Sequence, residues 1–268
     1  MICRKKKLEK MPLLDCLLPV SNSEKYLEEC IESILSQSFK DFRLLVYDGG
    51  SIDSSLAIIK SYQKKDARIH LISENKKEEI PACLNTLIKE AKSKYFAIQL
   101  PSDLSHQTRF EKQLKRLKNS SLVAIGSSIL WDGTLIGDDK VEVFCSENPK
   151  EVLDAQLFSD EYRGLFMETA MYDTKAVQKS SLLNPKVPYK YDIEFHAFLQ
   201  RRYPLRLANI NEPLYTMRIF HGCIQEKLNK GEVQFDKQTT LVRIKPFLEF
   251  VHKRYFQNIL VAYGYLPY

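Results

Sequence analysis

From residue 13 to residue 126 the chain repeats one pattern: a short apolar run, a polar turn, then a stretch whose apolar residues recur every three or four positions. Leu13 to Val20 is a largely apolar run closed by Pro19, the signature of a strand buried on both faces. After it Leu27, Cys30, Ile31, Ile34 and Leu35 fall at helical spacing, with Ser21 three residues before Glu24 as a capping box. Phe42 to Tyr47 predicts a second strand, ending at Asp48-Gly49-Gly50-Ser51, where two glycines permit a tight turn before a helix carrying Leu56, Ile59 and Tyr62. A third strand is expected at Ile69 to Ile72. A helix from Pro81 to Ala91 follows, opened by proline, with Cys83, Leu84, Leu87 and Ala91 on one face. Tyr95 to Leu100 reads as a strand, Phe110, Leu114 and Leu117 mark a helix, and Leu122 to Gly126 a further strand. Strands alternating with amphipathic helices predict an α/β fold: a mostly parallel, Rossmann-like central sheet flanked by helices, with right-handed crossovers. Ligands of such sheets sit outside the carboxyl ends of the strands, which directs attention to residues 19–22, 48–53 and 101–104.

Beyond Trp131 the pattern weakens. Residues 133–160 are polar, with one helix expected near Pro149 to Leu157; Leu165 to Tyr172 and Leu205 to Ala208 read as strands and Asp192 to Arg202 as a helix. A basic, aromatic stretch from Gln238 to Tyr263 predicts a helical C-terminal appendage, broken or kinked near Pro246.

Composition narrows the class. At 268 residues and 44% hydrophobic content, one α/β domain with an appendage accounts for the chain. The longest apolar runs fall well short of the roughly 20 residues that cross a bilayer, and Met1 to Lys10 is basic without the apolar core of a secretory signal. The expectation is a cytoplasmic protein. Six cysteines are scattered without a CxxC pair and read as reduced core residues. The excess of 40 Lys and Arg over 34 Asp and Glu, a net +6, suits a phosphorylated substrate or an anionic membrane surface, yet most such excess is solvated face. No zinc-finger spacing, aromatic-basic strand or long basic helix marks a nucleic-acid module, so no nucleic-acid partner is expected.

Three stretches together carry a resemblance. LDCLLPVSN supplies an apolar strand followed by Pro19 and Asn22; YLEECIESILSQSFKDFRLLVYDGGSIDSS supplies Gln37, Asp48, Ser51 and Asp53; ENKKEEIPACLNTLIKEAKSKYFAIQL supplies Asn75, Asn85 and a strand leading to Leu100-Pro101-Ser102-Asp103-Leu104. In this order and spacing the chain resembles the family 2 glycosyltransferases of the GT-A fold over residues 12–225. The resemblance implies a nucleotide-binding half at 12–126 and an acceptor-binding half at 127–225, with residues 1–11 a basic extension and 226–268 a helical tail. Where the family reads Leu-Asp-x-Asp-Asp, only Asp103 is present; Pro101 and Leu104 stand at the other acidic positions. The Glu-Asp pair before a C-terminal helix is Tyr191-Asp192 here, with Glu194 two residues on. Arg218 is kept from the family's Tyr-Arg-x-His, whereas Phe220 stands at the histidine position and His221 follows it.

The resemblance implies an inverting transfer from a nucleotide diphosphate sugar, UDP-linked, to a glycan or lipid-linked acceptor in surface polysaccharide or lipooligosaccharide synthesis. Nucleotide contacts fall to Pro19, Asn22, Asp48, Gly49, Ser51, Asp53, Asn85, Ser102 and Arg218. Mn²⁺ or Mg²⁺ is expected at Asp103, with His221 nearby. Asp192 is the expected general base, with Glu194 or Asp173 as substitutes. Plain structural roles stand beside each of these: a turn-forming Asp48 before glycines, a helix-capping Asp103, an N-capping Asp192. The tail's Arg243, Lys245, Lys253 and Arg254 among aromatics could rest on the cytoplasmic face of a membrane or pack on the core. The missing carboxylates at Pro101 and Leu104 leave a second reading open, a nucleotide-sugar-binding protein of the same fold with lost or reduced catalysis.

Overall fold

The computed structural model describes residues 11–74, 76–132, 134, 140–158, 164–180, 183 and 191–218. The repeat becomes β1 (Leu14–Val20), α1 (Glu24–Leu35), β2 (Phe42–Asp48), α2 (Ser55–Lys65), β3 (Ile69–Ser73), α3 (Ile80–Glu90) and β4 (Tyr95–Ile98). After these come β5 (Leu104–Ser105), α4 (Arg109–Lys118), β6 (Ala124–Asp132), β7 (Lys140–Val143), α5 (Pro149–Phe158), a 3-10 turn (Met167–Thr169), β8 (Met171–Asp173), α6 (Thr174–Gln178), α7 (Tyr191–Arg202) and β9 (Leu207–Arg218). The expected tail helix lies outside the described residues.

Among the described residues the strands form one sheet in the order β3-β2-β1-β4-β8-β6-β9-β5, with β7 paired to β6. β3, β2, β1 and β4 run parallel. The period of two along β1 divides the core. Leu14, Cys16, Leu18 and Val20 join α1's Leu27 and Ile31 with Phe110 and Leu114 of α4; Leu17 joins Leu84 and Leu87 of α3 with Phe195 and Leu199 of α7. Each such fully buried aliphatic side chain is worth roughly 1.5–3 kcal/mol, which makes β1, covered on both faces, the least replaceable strand. Asp15, the polar residue in that run, is satisfied four times, by Arg43 at 2.8 and 2.9 Å and by the backbone N–H groups of Lys92 and Ser93 at 2.9 Å.

Three local expectations change. Pro19 does not close β1: it pairs in register with Tyr47, and the strand runs on to Val20 opposite Asp48. The carbonyls of Leu13 and Leu17 accept from Tyr95 and Gln99, so odd-numbered residues of β1 address β4. Pro19 is the next of them, has no N–H to offer, and the β1–β4 ladder stops before it. The segment expected as one strand from Leu165 divides into the 3-10 turn and the short β8, which enters antiparallel between β4 and β6, Tyr172 standing opposite both Phe96 and Ala124. Ser21 and Glu24 form no capping box; the two helices cap each other instead, as set out below.

The described residues divide into two units, those of 11–130 with 142–217, and those of 131–141 with Arg218. In the second, Asp132 accepts from the Thr134 hydroxyl at 2.6 Å and pairs with Lys140 at 3.0 Å. Among the described residues no helix is long and apolar enough to cross a membrane. Cys16, Cys30, Cys83 and Cys145 are buried free thiols, as expected of core cysteines; burial pushes the Cys16 thiol up to about 12, so it stays protonated and unreactive.

Candidate active site

Because β2 and β4 flank β1, Asp48 at the end of β2 and Asp103 in the turn after β4 stand on either side of the carboxyl end of β1. Asp48 is fully buried, and its Oδ2 accepts from the N–H groups of Gly50 and Ser51, each at 3.2 Å. Gly50 holds φ +82°, open to glycine at little cost. Close approach explains both glycines: a Cβ on Gly49 would lie 2.9 Å from the Glu78 carbonyl, and one on Gly50 3.2 Å from the Lys77 backbone. Residues 76–78 therefore form a strap over the Asp48 turn. The Tyr47 hydroxyl fastens it by donating to Glu78 Oε2 at 2.7 Å, and Lys76 pairs with the same carboxylate. Lys76 and Tyr47 hold the Glu78 carboxyl below its usual range, while burial and the bond to Glu78 raise Tyr47. The strap lies against the two glycines that follow the fully buried Asp48.

The loops after β1 and β2 are laced together. Asn22, at φ 45°, accepts from Ile52 N–H at 2.9 Å and donates its own N–H to Ser51 Oγ at 3.0 Å; asparagine tolerates this left-handed conformation better than most residues. Asp53 accepts from the N–H groups of Glu24 and Ser55, and Glu24 returns an acceptor to Ser54 N–H at 2.8 Å. Asp53, in the loop before α2, thus caps the start of α1, and Glu24, the first residue of α1, accepts from the residue before α2. Burial pushes the Asp53 carboxyl up, but the bonds from Ser55 and Glu24 prevail and it lies below its usual value.

Asp103 is 2% exposed. Its Oδ2 accepts from the Tyr215 hydroxyl at 2.9 Å and its Oδ1 from Ser102 Oγ at 3.1 Å. The Tyr215 hydroxyl also accepts from Leu100 N–H at 3.1 Å, so β9 grips both ends of the turn. Leu104, at the position of the family's third carboxylate, is a strand residue here: β5 pairs antiparallel with β9, Leu104 opposite Thr216. Beneath the turn lies a residue sequence reasoning missed. Arg109, the first residue of α4, is fully buried, donating to Gln99 Oε1 at 3.0 Å, Ser105 Oγ at 2.8 Å and the carbonyls of Ile98 and Glu168 at 2.8 and 3.1 Å. Its guanidinium lies 4.9 Å from the centre of the Tyr215 ring, within range of a cation–π contact. Gln99 completes the frame by donating to the Asp103 carbonyl at 2.9 Å. Burial pushes Tyr215 well up, and Asp103 beside it adds to this.

Asp192 and Glu194 lie in the first turn of α7. Tyr203, just past the other end of α7, sits with Tyr95 and Val123 at the amino ends of β4 and β6. Asp173 stands opposite Tyr95 at the amino end, where it caps α6 through Ala176 N–H at 2.8 Å; that position removes it from the site. The Asn85 amide donates to and accepts from the Leu183 backbone at 2.7 and 2.9 Å. Arg218 ends β9 and belongs to the second unit. Asn75, Phe220 and His221 lie outside the described residues. Among the described residues no group of three or more His, Cys, Asp or Glu could hold a metal. Asp103 and Ser102 nonetheless offer a carboxylate and a hydroxyl, hard oxygen donors that fit a cation taking its other ligands from phosphates and water.

The model of glycosyl transferase family 2 matches residues 15–180. The chain belongs to glycosyl transferase family 2. It is similar to EpsE of Bacillus subtilis (strain 168), 36% identical over 121 residues that make up 44% of each chain. It is also similar to an uncharacterized glycosyltransferase of Haemophilus influenzae, 27% identical over 224 residues, 80% of this chain and 68% of that one. The chain spans less than half the length of EpsE. Among solved structures, S. aureus TarS 1–349 in complex with UDP-GlcNAc superposes with a TM-score of 0.62 at 15% identity, over 78% of this chain and 59% of that one. The mannosyltransferase PcManGT from Pyrobaculum calidifontis, solved with GDP-Man and Mn²⁺, gives 0.60 at 14%, over 96% and 74%. These likenesses establish the GT-A fold.

One buried group in this family 2 domain makes stability depend on pH. His196 of α7 is fully buried against Tyr172, its Nε2 2.8 Å from the tyrosine hydroxyl and its Nδ1 without a hydrogen-bond partner. Burial pushes the imidazole down to about 3. Below about pH 6.5 the unfolded chain takes up a proton that the folded chain refuses, so stability falls as pH drops from there toward about 3. Between pH 7 and pH 5 the loss from this residue is about 2 kcal/mol. His196→Gln keeps a partner for Tyr172 and removes the titration, so its urea midpoint should differ less between the two pH values than the parent's. An equal pH dependence in both would assign the proton to another group.

Proposed function

We propose that this glycosyltransferase moves a sugar from a UDP-linked donor to a glycan or lipid-linked acceptor, with inversion, at the cytoplasmic face of a membrane where surface glycans are built. One observation carries the reading: two carboxylates, Asp48 and Asp103, flank the end of β1 in a chain of family 2. The solved complexes of TarS with UDP-GlcNAc and of PcManGT with GDP-Man support a nucleotide-sugar donor. Asp48 would accept from the base's imide N–H, with Pro19, Gly49 and Ser102 lining the approach. Asn22, Ser51, Asp53 and Asn85 would act through the loops they hold. Asp103 would hold Mn²⁺ or Mg²⁺, which supplies charge compensation for the departing diphosphate. Asp192 would take the acceptor hydroxyl's proton as that oxygen bonds to the anomeric carbon and the bond to the diphosphate breaks on the opposite face.

A thermal-shift panel of UDP-, GDP-, CDP- and dTDP-sugars with Mn²⁺ tests the donor, and selective stabilisation by UDP-sugars is the expected result; no shift with any of them would sink the reading. Asp192→Asn should abolish transfer with donor affinity little changed, and retained transfer would pass the role to Glu194.

The depth of Asp103 and the absence of carboxylates at Pro101 and Leu104 favour a second reading, a donor-binding protein with reduced catalysis. Calorimetric UDP binding without turnover on water or acceptor would select it.

A further inference from the structure

The opposite end of the sheet holds a second concave feature. A pocket of about 390 Å³ opens where β4 and β6 begin and β8 ends, lined by Lys94, Lys118, Lys175, Lys179 and Arg206. All five cations are exposed, and none takes part in an ion pair among the described residues. The one carboxylate in the lining, Asp173, is occupied in capping α6.

Helix ends explain part of this. Lys118 lies in the last turn of α4, where the macrodipole favours a cation. That argument does not reach Lys94, in the turn before β4, or Arg206, in the turn between α7 and β9, yet both converge on the same hollow. Five like charges around a concavity floored by Leu117, Leu122 and Val123 repel one another, and low-dielectric walls concentrate their field. A multiply charged anion relieves that repulsion, and the lysine ammoniums and arginine guanidinium provide donors for several phosphoryl oxygens.

We propose that this pocket is a second ligand site that binds a group carrying two or more phosphate charges. The phosphate belongs to a soluble ligand or to a lipid headgroup. The pocket lies at the amino end of β4, whereas Asp103 lies in the turn beyond that strand's carboxyl end and Asp48 at the carboxyl end of β2, which does not line the pocket. It therefore stands or falls independently of the donor reading.

The test is calorimetric titration of the full chain with sodium tripolyphosphate, with and without saturating UDP. Binding should persist in UDP, weaken between low and moderate NaCl, and weaken at least ~10-fold in Lys94→Glu/Arg206→Glu, since each reversal replaces an attraction by a repulsion. The milder pair Lys175→Ala/Lys179→Ala should weaken it by a smaller factor, and circular dichroism checks that both variants fold. Co-sedimentation with phosphatidylglycerol vesicles that is lost in the charge-reversed variant would place the phosphate on a lipid; tripolyphosphate binding without co-sedimentation would place it on a soluble ligand. No binding, or unchanged affinity in both variants, overturns the proposal. Complete displacement by UDP, with loss of binding in Asp103→Asn, also overturns it, by assigning the phosphate to the donor site.

Discussion

Asp103→Asn is expected to lower kcat for sugar transfer by about 10²–10³-fold, the usual scale for losing a charge that stabilises a transition state, with little change in melting temperature. The amide oxygen can still accept the Tyr215 hydroxyl that now meets Oδ2 at 2.9 Å, so the turn keeps its anchor while the negative charge disappears. Asp103→Ala separates the two roles. It strips the charge and also leaves a buried tyrosine hydroxyl without its acceptor, which costs about 1–3 kcal/mol, so it should be both inactive and less stable. The measurement is kcat across a Mn²⁺ titration alongside thermal unfolding. An Asn variant whose kcat stays within a few-fold of the parent, with the same Mn²⁺ dependence, would remove Asp103 from the cation site.

Arg109→Leu should destabilise the fold by about 3 kcal/mol or more, because several buried acceptors lose their donor together and each costs about 1–3 kcal/mol, offset in part by removing a buried charge. Ser105 Oγ and the carbonyls of Ile98 and Glu168 accept from that guanidinium, as does Gln99 Oε1, which also takes the Ser105 hydroxyl at 2.6 Å. Gln99 in turn holds the Asp103 backbone, so donor affinity should fall as well as stability. Arg109→Lys is not expected to restore either, since an ammonium cannot reproduce the planar fork. Urea unfolding and UDP calorimetry on the two variants check this; a loss below about 1 kcal/mol for Arg109→Leu would mean that the network is not what holds the turn.

Arg109 also shows where sequence reading fails. In TRFEKQLKRLK it looks like one more cation on a polar helix, and arginine is rarely fully buried. Its partners Gln99, Ser105 and Glu168 are 10, 4 and 59 residues away, and the last comes from a segment whose placement no local pattern announces. Asp53 is the converse case. The motif marks it as an expected nucleotide contact, and its oxygens also meet the starts of α1 and α2, which only the adjacency of β1 and β2 brings together.

The sequence by itself determined the parallel half of the sheet, its covering helices, the buried cysteines, and the placement of Asp48 and Asp103 beyond the carboxyl ends of their strands. Those features follow from periodicity and turn chemistry, which act over a few residues and report which face of each element is buried. Only the tertiary structure decided the antiparallel entry of β8, the pairing of β5 with β9 that makes Leu104 a strand residue, the reciprocal capping of α1 and α2, and the strap of residues 76–78 fastened to Tyr47. Each of these joins groups about 30 to 110 residues apart. Such contacts form when distant elements close against one another, and their hydrogen-bond geometry is set by that closure, which no local run of residues encodes.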